Sequence, residues 1–121
     1  MQILIADDNP VNQMVAHGFL KRLGYDCKVV SDGIEVLAAF GEDTYNLVFM
    51  DLEMPNLGGV EATSKLRELY GSSPYVIAMS AHDESQIKGA FQEYQMNDYV
   101  TKPVSKQAFE AAIDRYSQQL A

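Results

Sequence analysis

A single cysteine, Cys27, stands in 121 residues, so no internal disulfide can form. It has no Cys or His beside it at ligand spacing, and it reads as a small core or near-surface residue rather than a reactive thiol. Apolar runs fall well short of the roughly 20 residues that span a bilayer, and no basic segment precedes an apolar one at the N-terminus. These absences point to a soluble protein of the cytoplasm. No Ser/Gly/Pro-rich linker, repeat or low-complexity tract divides the chain, which fits one domain over residues 1–121. No residues remain for an output domain, and whether the domain stands alone or belongs to a longer chain is left open.

Basic residues are scarce as well. Nine Lys and Arg meet seventeen Asp and Glu, for a net charge of −8. That balance argues against direct binding to nucleic acid or to an anionic membrane. It favours a basic partner surface or a cation site, although many acidic domains use such charge only for solubility.

What is present is a repeated switch of period. Short apolar runs at 3–6, 25–30, 47–50, 75–79 and 99–101 predict strands, and stretches with helical spacing lie between them. Asn9 caps and Pro10 opens the first helix, with Val11, Met14/Val15, Gly18/Phe19 and Leu23 at helical spacing and Gly24 as a stop. Asp32 and Glu35 start a second helix through Leu37 and Phe40 that ends at Gly41. Gly58-Gly59 opens a third, through Val60, Leu66 and Leu69, stopped by Gly71 and Pro74. Ile87 and Phe91 suggest a fourth over 84–92. Ser105 caps the last, whose stripe is Phe109, Ala112/Ile113, Tyr116 and Leu120.

Strands alternating with helices imply parallel pairing, because each parallel connection needs a crossover. The run Leu47-Val48-Phe49-Met50 has no polar alternation, as in a central strand covered on both faces. The expected architecture is an α/β three-layer sandwich with a five-stranded parallel sheet.

Open parallel sheets bind ligands beyond the carboxyl ends of their strands. Asp7 and Asp8 follow the first strand, Asp51 the third, Ser80 the fourth and Lys102 the fifth. Three carboxylates brought to one edge repel, and a hard divalent cation with oxygen ligands relieves that repulsion. One Mg²⁺ and one Lys balance three carboxylates. No His or Cys falls in the set, so zinc and copper are poorly supported. An Asp beside Mg²⁺ and Lys can act as a nucleophile toward a phosphoryl group. Each residue alone has a plainer reading: a turn for Asp7-Asp8, a loop residue for Asp51, a cap for Ser80, a solvated surface side chain for Lys102. Their placement on one edge is what argues for chemistry.

LIADDNPVNQ, LVFMDLEMPNLGG, IAMSAHD and MNDYVTKPV together resemble the receiver domain of response regulators, CheY-like, and most resemble receivers of hybrid histidine kinases in their wording. The resemblance covers essentially the whole chain. It implies a flavodoxin-like (βα)5 fold with strand order 2-1-3-4-5. It implies Asp51 as phosphoacceptor; Asp7, Asp8 and the Glu53 backbone carbonyl with Asp51 at Mg²⁺ (Mn²⁺ being an alternative); and Asp8 as the direct ligand of the pair. It further implies Ser80 as switch hydroxyl, Lys102 as the partner of a phosphoryl oxygen, Tyr99 as switch aromatic and a cis peptide before Pro103. Without the resemblance, Tyr99 reads as packing. The implied function is a phosphorylation-controlled switch of a two-component or phosphorelay system, promoting its own phosphorylation and dephosphorylation without turning over an external substrate. A histidine kinase or histidine phosphotransfer protein is the implied donor, and a phosphorylation-dependent dimer is left open.

Two departures stand out. Gly58 replaces a capping Asp, and Gln95 replaces a Gly at a position where positive φ would cost roughly 1 kcal/mol. His82 and Glu53 are expected to flank the phosphoryl site. Two other functions compete: a Mg²⁺-dependent phosphohydrolase using Asp51, for which the chain has no spare residues to build a cap, and a phosphorylation-independent binding module.

Overall fold

The computed structural model describes residues 1–81 and 95–120. Five strands, β1 Ile3–Ala6, β2 Cys27–Val30, β3 Leu47–Asp51, β4 Tyr75–Ser80 and β5 Asp98–Thr101, form one parallel sheet in the order β2-β1-β3-β4-β5. The described helices are α1 Pro10–Arg22, α2 Gly33–Glu42, α3 Gly59–Tyr70 and α4 Lys106–Leu120. The helix expected at 84–92, with Ile87 and Phe91, falls outside the described residues, as does His82. No described helix is long and apolar enough to cross a membrane.

Side chains along a strand alternate between faces, and this period of two divides the core. Ile3, Ile5, Leu47, Phe49, Ile77 and Met79 point to one side, against Ala16 and Leu20 of α1 and Phe109, Ala112, Ile113 and Tyr116 of α4. Leu4, Ala6, Val48, Met50, Val76 and Ala78 point to the other, against Val36 and Ala39 of α2 and Ala62 and Leu66 of α3. Every residue of β3 and β4 is buried, as the unbroken apolar run of the central strand requires. Phe49 and Phe109 stack with centroids 4.4 Å apart, locking α4 to the sheet centre.

Capping follows the sequence. Asn9 accepts from the N–H groups of Val11 and Asn12, Asp32 from Glu35, and Ser105 from Ala108. Gly58 caps α3 with no side-chain bond, as its composition demands. Three details differ from expectation. The Tyr25 N–H bonds to the Leu20 carbonyl and closes the end of α1, so β2 starts at Cys27. Helix α2 runs through Gly41 and ends at Asp43, whose N–H reaches the Ala39 carbonyl. On α1 the sheet side is set by Ala16 and Leu20, with Phe19 and Leu23 packed beside them. Val11 (62% exposed) and Met14 (69%) therefore turn outward with Val15. On α3, likewise, Ala62, Thr63 and Leu66 are buried and Leu69 is exposed.

Gln95 takes φ 61°, the left-handed region that favours glycine. Arg67 holds it there. Its guanidinium donates to the carbonyls of Gln95, Gly71 and Pro74 and to Asn97 Oδ1, at 2.8–3.2 Å, tying the end of α3 to the starts of β4 and β5. Burial lowers the pKa of this guanidinium from its ordinary value. We predict that Gln95→Gly stabilises the protein by about 1 kcal/mol, because it removes the backbone strain and leaves the carbonyl that Arg67 uses. Urea unfolding midpoints of the two proteins check this; an unchanged or lowered midpoint contradicts it.

Candidate functional site

Register builds the site. β1 pairs with β3 so that Ala6 lies opposite Met50, which places Asp7 beside Asp51 one step further on. Asp7 and Asp51 share the parity of Ile3, Ile5, Leu47 and Phe49, so both carboxylates leave the same face of the sheet. They are buried, at 2% and 3% exposure, while Asp8 is exposed. Carboxylate oxygens of Asp7, Asp8 and Asp51 all lie within 4.8 Å of one another.

β5 delivers the cation. The Lys102 N–H donates to the Ser80 carbonyl at 2.7 Å, fixing the end of β5 against β4. A cis peptide joins Lys102 to Pro103, as the resemblance implied. Lys102 Nζ lies 3.1 Å from Asp51 Oδ2 and 3.5 Å from Asp7 Oδ2, so one ammonium bridges the two buried carboxylates. Ser80 is buried one residue further along β4 than the Met79 that faces Asp51. Gly59 lets α3 start hard against the end of β3, because a Cβ there would overlap the Asp51 carbonyl oxygen.

The carboxyl group of Asp51 is pushed above its ordinary 3.8, chiefly by burial and in part by the nearby Asp7 charge. The Glu53 N–H, 3.1 Å from Oδ1, and the Lys102 ammonium oppose that shift without cancelling it. Three carboxylates and one ammonium leave two negative charges uncompensated. The donors are all oxygen, so a hard divalent cation suits them in charge and in chemistry. Asp8, Asn9, Pro10, Asn12, Asp51, Glu53, Ser80, Ala81 and Lys102 line an open cleft of about 440 Å³ around these groups. A larger hollow of about 560 Å³ at the opposite end of β1 and β2, lined by Asp26, Lys28, Glu42 and Asp43 among others, holds no comparable cluster among the described residues.

Asp7, Asp8, Asp51, Ser80, Lys102 and Glu53 are thus brought together as expected. Tyr99 is half-buried and packs against the α2–α3 side of the core rather than lining the cleft. Cys27 is half-buried, and burial with the Asp26 charge pushes its thiol up to about 11, which suits an inert residue. Gln13 and Asn56 went unnoticed in the sequence. Gln13 donates to the Asp7 main-chain carbonyl, and Asn56 donates to Asp32.

The sequence profile of the response regulator receiver domain matches residues 3–114. The chain is 35% identical over 112 residues to hybrid signal transduction histidine kinase I of Dictyostelium discoideum, covering 86% of this chain and 6% of the kinase. Its fold matches the receiver domain of a Pseudomonas aeruginosa sensor histidine kinase with magnesium coordinated in its active-site cleft, at TM-score 0.85 and 32% identity over 94% of each chain. It also matches the receiver domain of a Saccharomyces cerevisiae response regulator in complex with a histidine phosphotransfer protein, at TM-score 0.85 and 28% identity, over 91% of this chain and 83% of that one. The chain spans less than a fifth of the length of the curated relatives it matches.

In metal-free protein at pH 7, Asp51→Asn is expected to raise the thermal midpoint by removing a buried charge. An acid whose folded pKa is raised contributes its stability below the unfolded value and loses it as pH rises through the folded value. The advantage of Asn should therefore shrink on acidification and vanish near pH 4. Thermal scans in chelator across that range check the sign; a midpoint lowered by Asn at pH 7 contradicts it.

Proposed function

We propose, for a chain that belongs to the response regulator receiver domain family and so to two-component and phosphorelay signalling, that Asp51 takes up the phosphoryl group. The observation that carries this reading is the buried Asp51 carboxylate, 3.1 Å from the Lys102 ammonium and clustered with Asp7 and Asp8. The donor is a phosphohistidine of a histidine kinase or a histidine phosphotransfer protein. The N–P bond breaks with its electron pair left on the imidazole nitrogen, and an O–P bond forms to the Asp51 carboxylate. Asp7, Asp8, Asp51 and the Glu53 backbone carbonyl would hold Mg²⁺, or Mn²⁺, with Asp8 as the direct ligand of the pair, and the bound ion would neutralise charge on the phosphoryl oxygens.

Lys102, poised between Asp7 and Asp51, follows the new charge, and the Ser80 hydroxyl donates to it. Because the Lys102 N–H is bonded to the Ser80 carbonyl, both act on the β4–β5 edge, and Tyr99 on β5 turns inward. The chain is a switch in this reading, regulating its own phosphorylation state in the cytoplasm. The magnesium-bound and phosphotransfer-bound receivers it resembles support the cation and the donor class.

The outward face of α1 gives the donor a place to land. Val11, Met14 and Val15 are exposed. Val15 also lines an apolar hollow with Asp7, Lys102, Pro103 and Val104, so this face runs directly into the acidic cleft. A histidine on a partner seated there reaches Asp51.

Acetyl phosphate with Mg²⁺ should label the protein with one hydroxylamine-sensitive phosphate, and Asp51→Asn should abolish it. Undiminished labelling of that variant sinks the assignment. Val11→Ser with Met14→Ser should slow transfer from a phosphorylated histidine phosphotransfer protein by roughly tenfold, the effect of about 1.4 kcal/mol of lost contact, while leaving acetyl phosphate labelling intact. Stopped quench-flow transfer assays compare the two donors; equal slowing with both would place the effect in the site and not in docking.

A further inference from the structure

The two halves of the acidic cluster sit at the carboxyl ends of different strands, β1 and β3, and their like charges repel across the gap between them. On the cleft side only Lys102, among the described residues, is ion-paired to both buried carboxylates. Behind the cleft a second connection runs through residues that line none of it. The Gln13 side-chain amide donates both to the Asp7 carbonyl, at 2.5 Å, and to Ser31 Oγ, at 3.1 Å. The next residue, Asp32, accepts from Asn56 Nδ2 at 2.7 Å, and Asn56 belongs to the loop that follows Asp51.

Main-chain bonds run parallel to these. The Asp7 N–H donates to the Val30 carbonyl at 3.1 Å and the Gly33 N–H to the Leu57 carbonyl at 2.9 Å. The turn between them is itself held by α2. Glu35 N–H donates to Asp32 Oδ1 at 2.8 Å, and Ser31 N–H donates to Glu35 Oε1 at 3.0 Å. Asp32 is buried, and its pKa is lowered from 3.8 first by the Asn56 bond and then by the Glu35 N–H. Asn56 adopts φ 65°, so the loop is held in a left-handed turn to present its amide.

We propose that Gln13 and Asn56 are positioning residues for the cation site, holding the Asp7-Asp8 corner and the Asp51 loop at fixed spacing by anchoring both to the Ser31-Asp32 turn. This rests on the reading that Asp7, Asp8 and Asp51 bind a divalent cation. Mg²⁺ demands near-ideal octahedral geometry with short bonds, whereas Ca²⁺ accepts longer and less regular ones. A brace of this kind therefore sets not only affinity but the preference for the smaller ion. Residues one step behind metal ligands typically change affinity by about 10- to 100-fold when removed.

The test is calorimetric titration of the 121-residue chain with MgCl2 and with CaCl2, alongside thermal unfolding in chelator. Gln13→Ala and Asn56→Gly, the second keeping the positive φ, should each weaken Mg²⁺ by about tenfold or more and Ca²⁺ by clearly less. Asn56→Asp alone sets two carboxylates face to face and should weaken Mg²⁺ further. Asp32→Asn combined with Asn56→Asp exchanges donor and acceptor, keeps an N-cap, and should restore most of the Mg²⁺ affinity. Lower unfolding midpoints with unchanged Mg²⁺ affinity, or equal losses for both ions with no rescue by the exchange, overturn the proposal. Wild-type protein that ignores millimolar Mg²⁺ overturns the cation site itself, a result distinct from wild-type binding that the variants leave unaltered.

Discussion

The in-register pairing of β1 with β3 is the constraint from which the site follows. Ala6 opposite Met50 puts two acids side by side at the next step, and their shared parity sends both carboxylates to one face. Neither acid has room to retreat, because the strands beneath them are fully buried and covered by helices on both sides. Moving either strand by one residue would exchange the two core faces, so the apolar packing of the sheet enforces the juxtaposition. The hydrophobic core thereby stabilises an arrangement that electrostatics alone disfavours. This is how a repulsive cluster survives in a folded chain: the energy that holds it lies elsewhere, in Phe49 against Phe109 and in the aliphatic side chains of β1 and β3.

Much of this was legible because position along a parallel strand carries meaning. Asp7, Asp51, Ser80 and Lys102 each follow an apolar run, and the end of such a run is the edge where ligands bind. The strand order and the cis peptide came from the family resemblance, and the structure bears both out. Helical spacing was a poorer guide to which face is inside. Val11, Met14 and Val15 recur as a core stripe does, yet Ala16 and Leu20 take the core and the larger residues face out. Periodicity measures segregation of apolar residues, and a docking face and a core face segregate alike. Leu69 misled in the same way on α3.

Gln13 and Asn56 were hidden for a different reason. A lone Gln on a helix and an Asn after Pro55 have ordinary local explanations, a solvated face and a turn. Their importance arises only when α1, the β2–α2 turn and the β3–α3 loop converge, which sequence spacing does not reveal. A partial signal existed at Asp32. Its Oδ1 is occupied by the N-cap bond, and a buried carboxylate needs a second partner for its other oxygen. That partner had to come from outside α2, and the loop carrying Asn56 supplies it.

The charge arrangement also explains why Lys102 stands where strand and loop meet. An ammonium fixed deep in the sheet would serve one carboxylate and stay there. Lys102 is held by its main chain, through Ser80, while its ammonium spans Asp7 and Asp51 at unequal distances, 3.5 and 3.1 Å. Its allegiance is therefore divided between the Asp7-Asp8 half of the cluster and the Asp51 half. A rise in negative charge on either side shifts the ammonium over a short path, because both partners are already within salt-bridge range. The backbone to which that ammonium is attached directly follows β5, three residues from Tyr99. Local charge at Asp51 and the conformation of the β4–β5 edge thus share one covalent link, and this gives a buried acidic cluster a means of being felt at the surface.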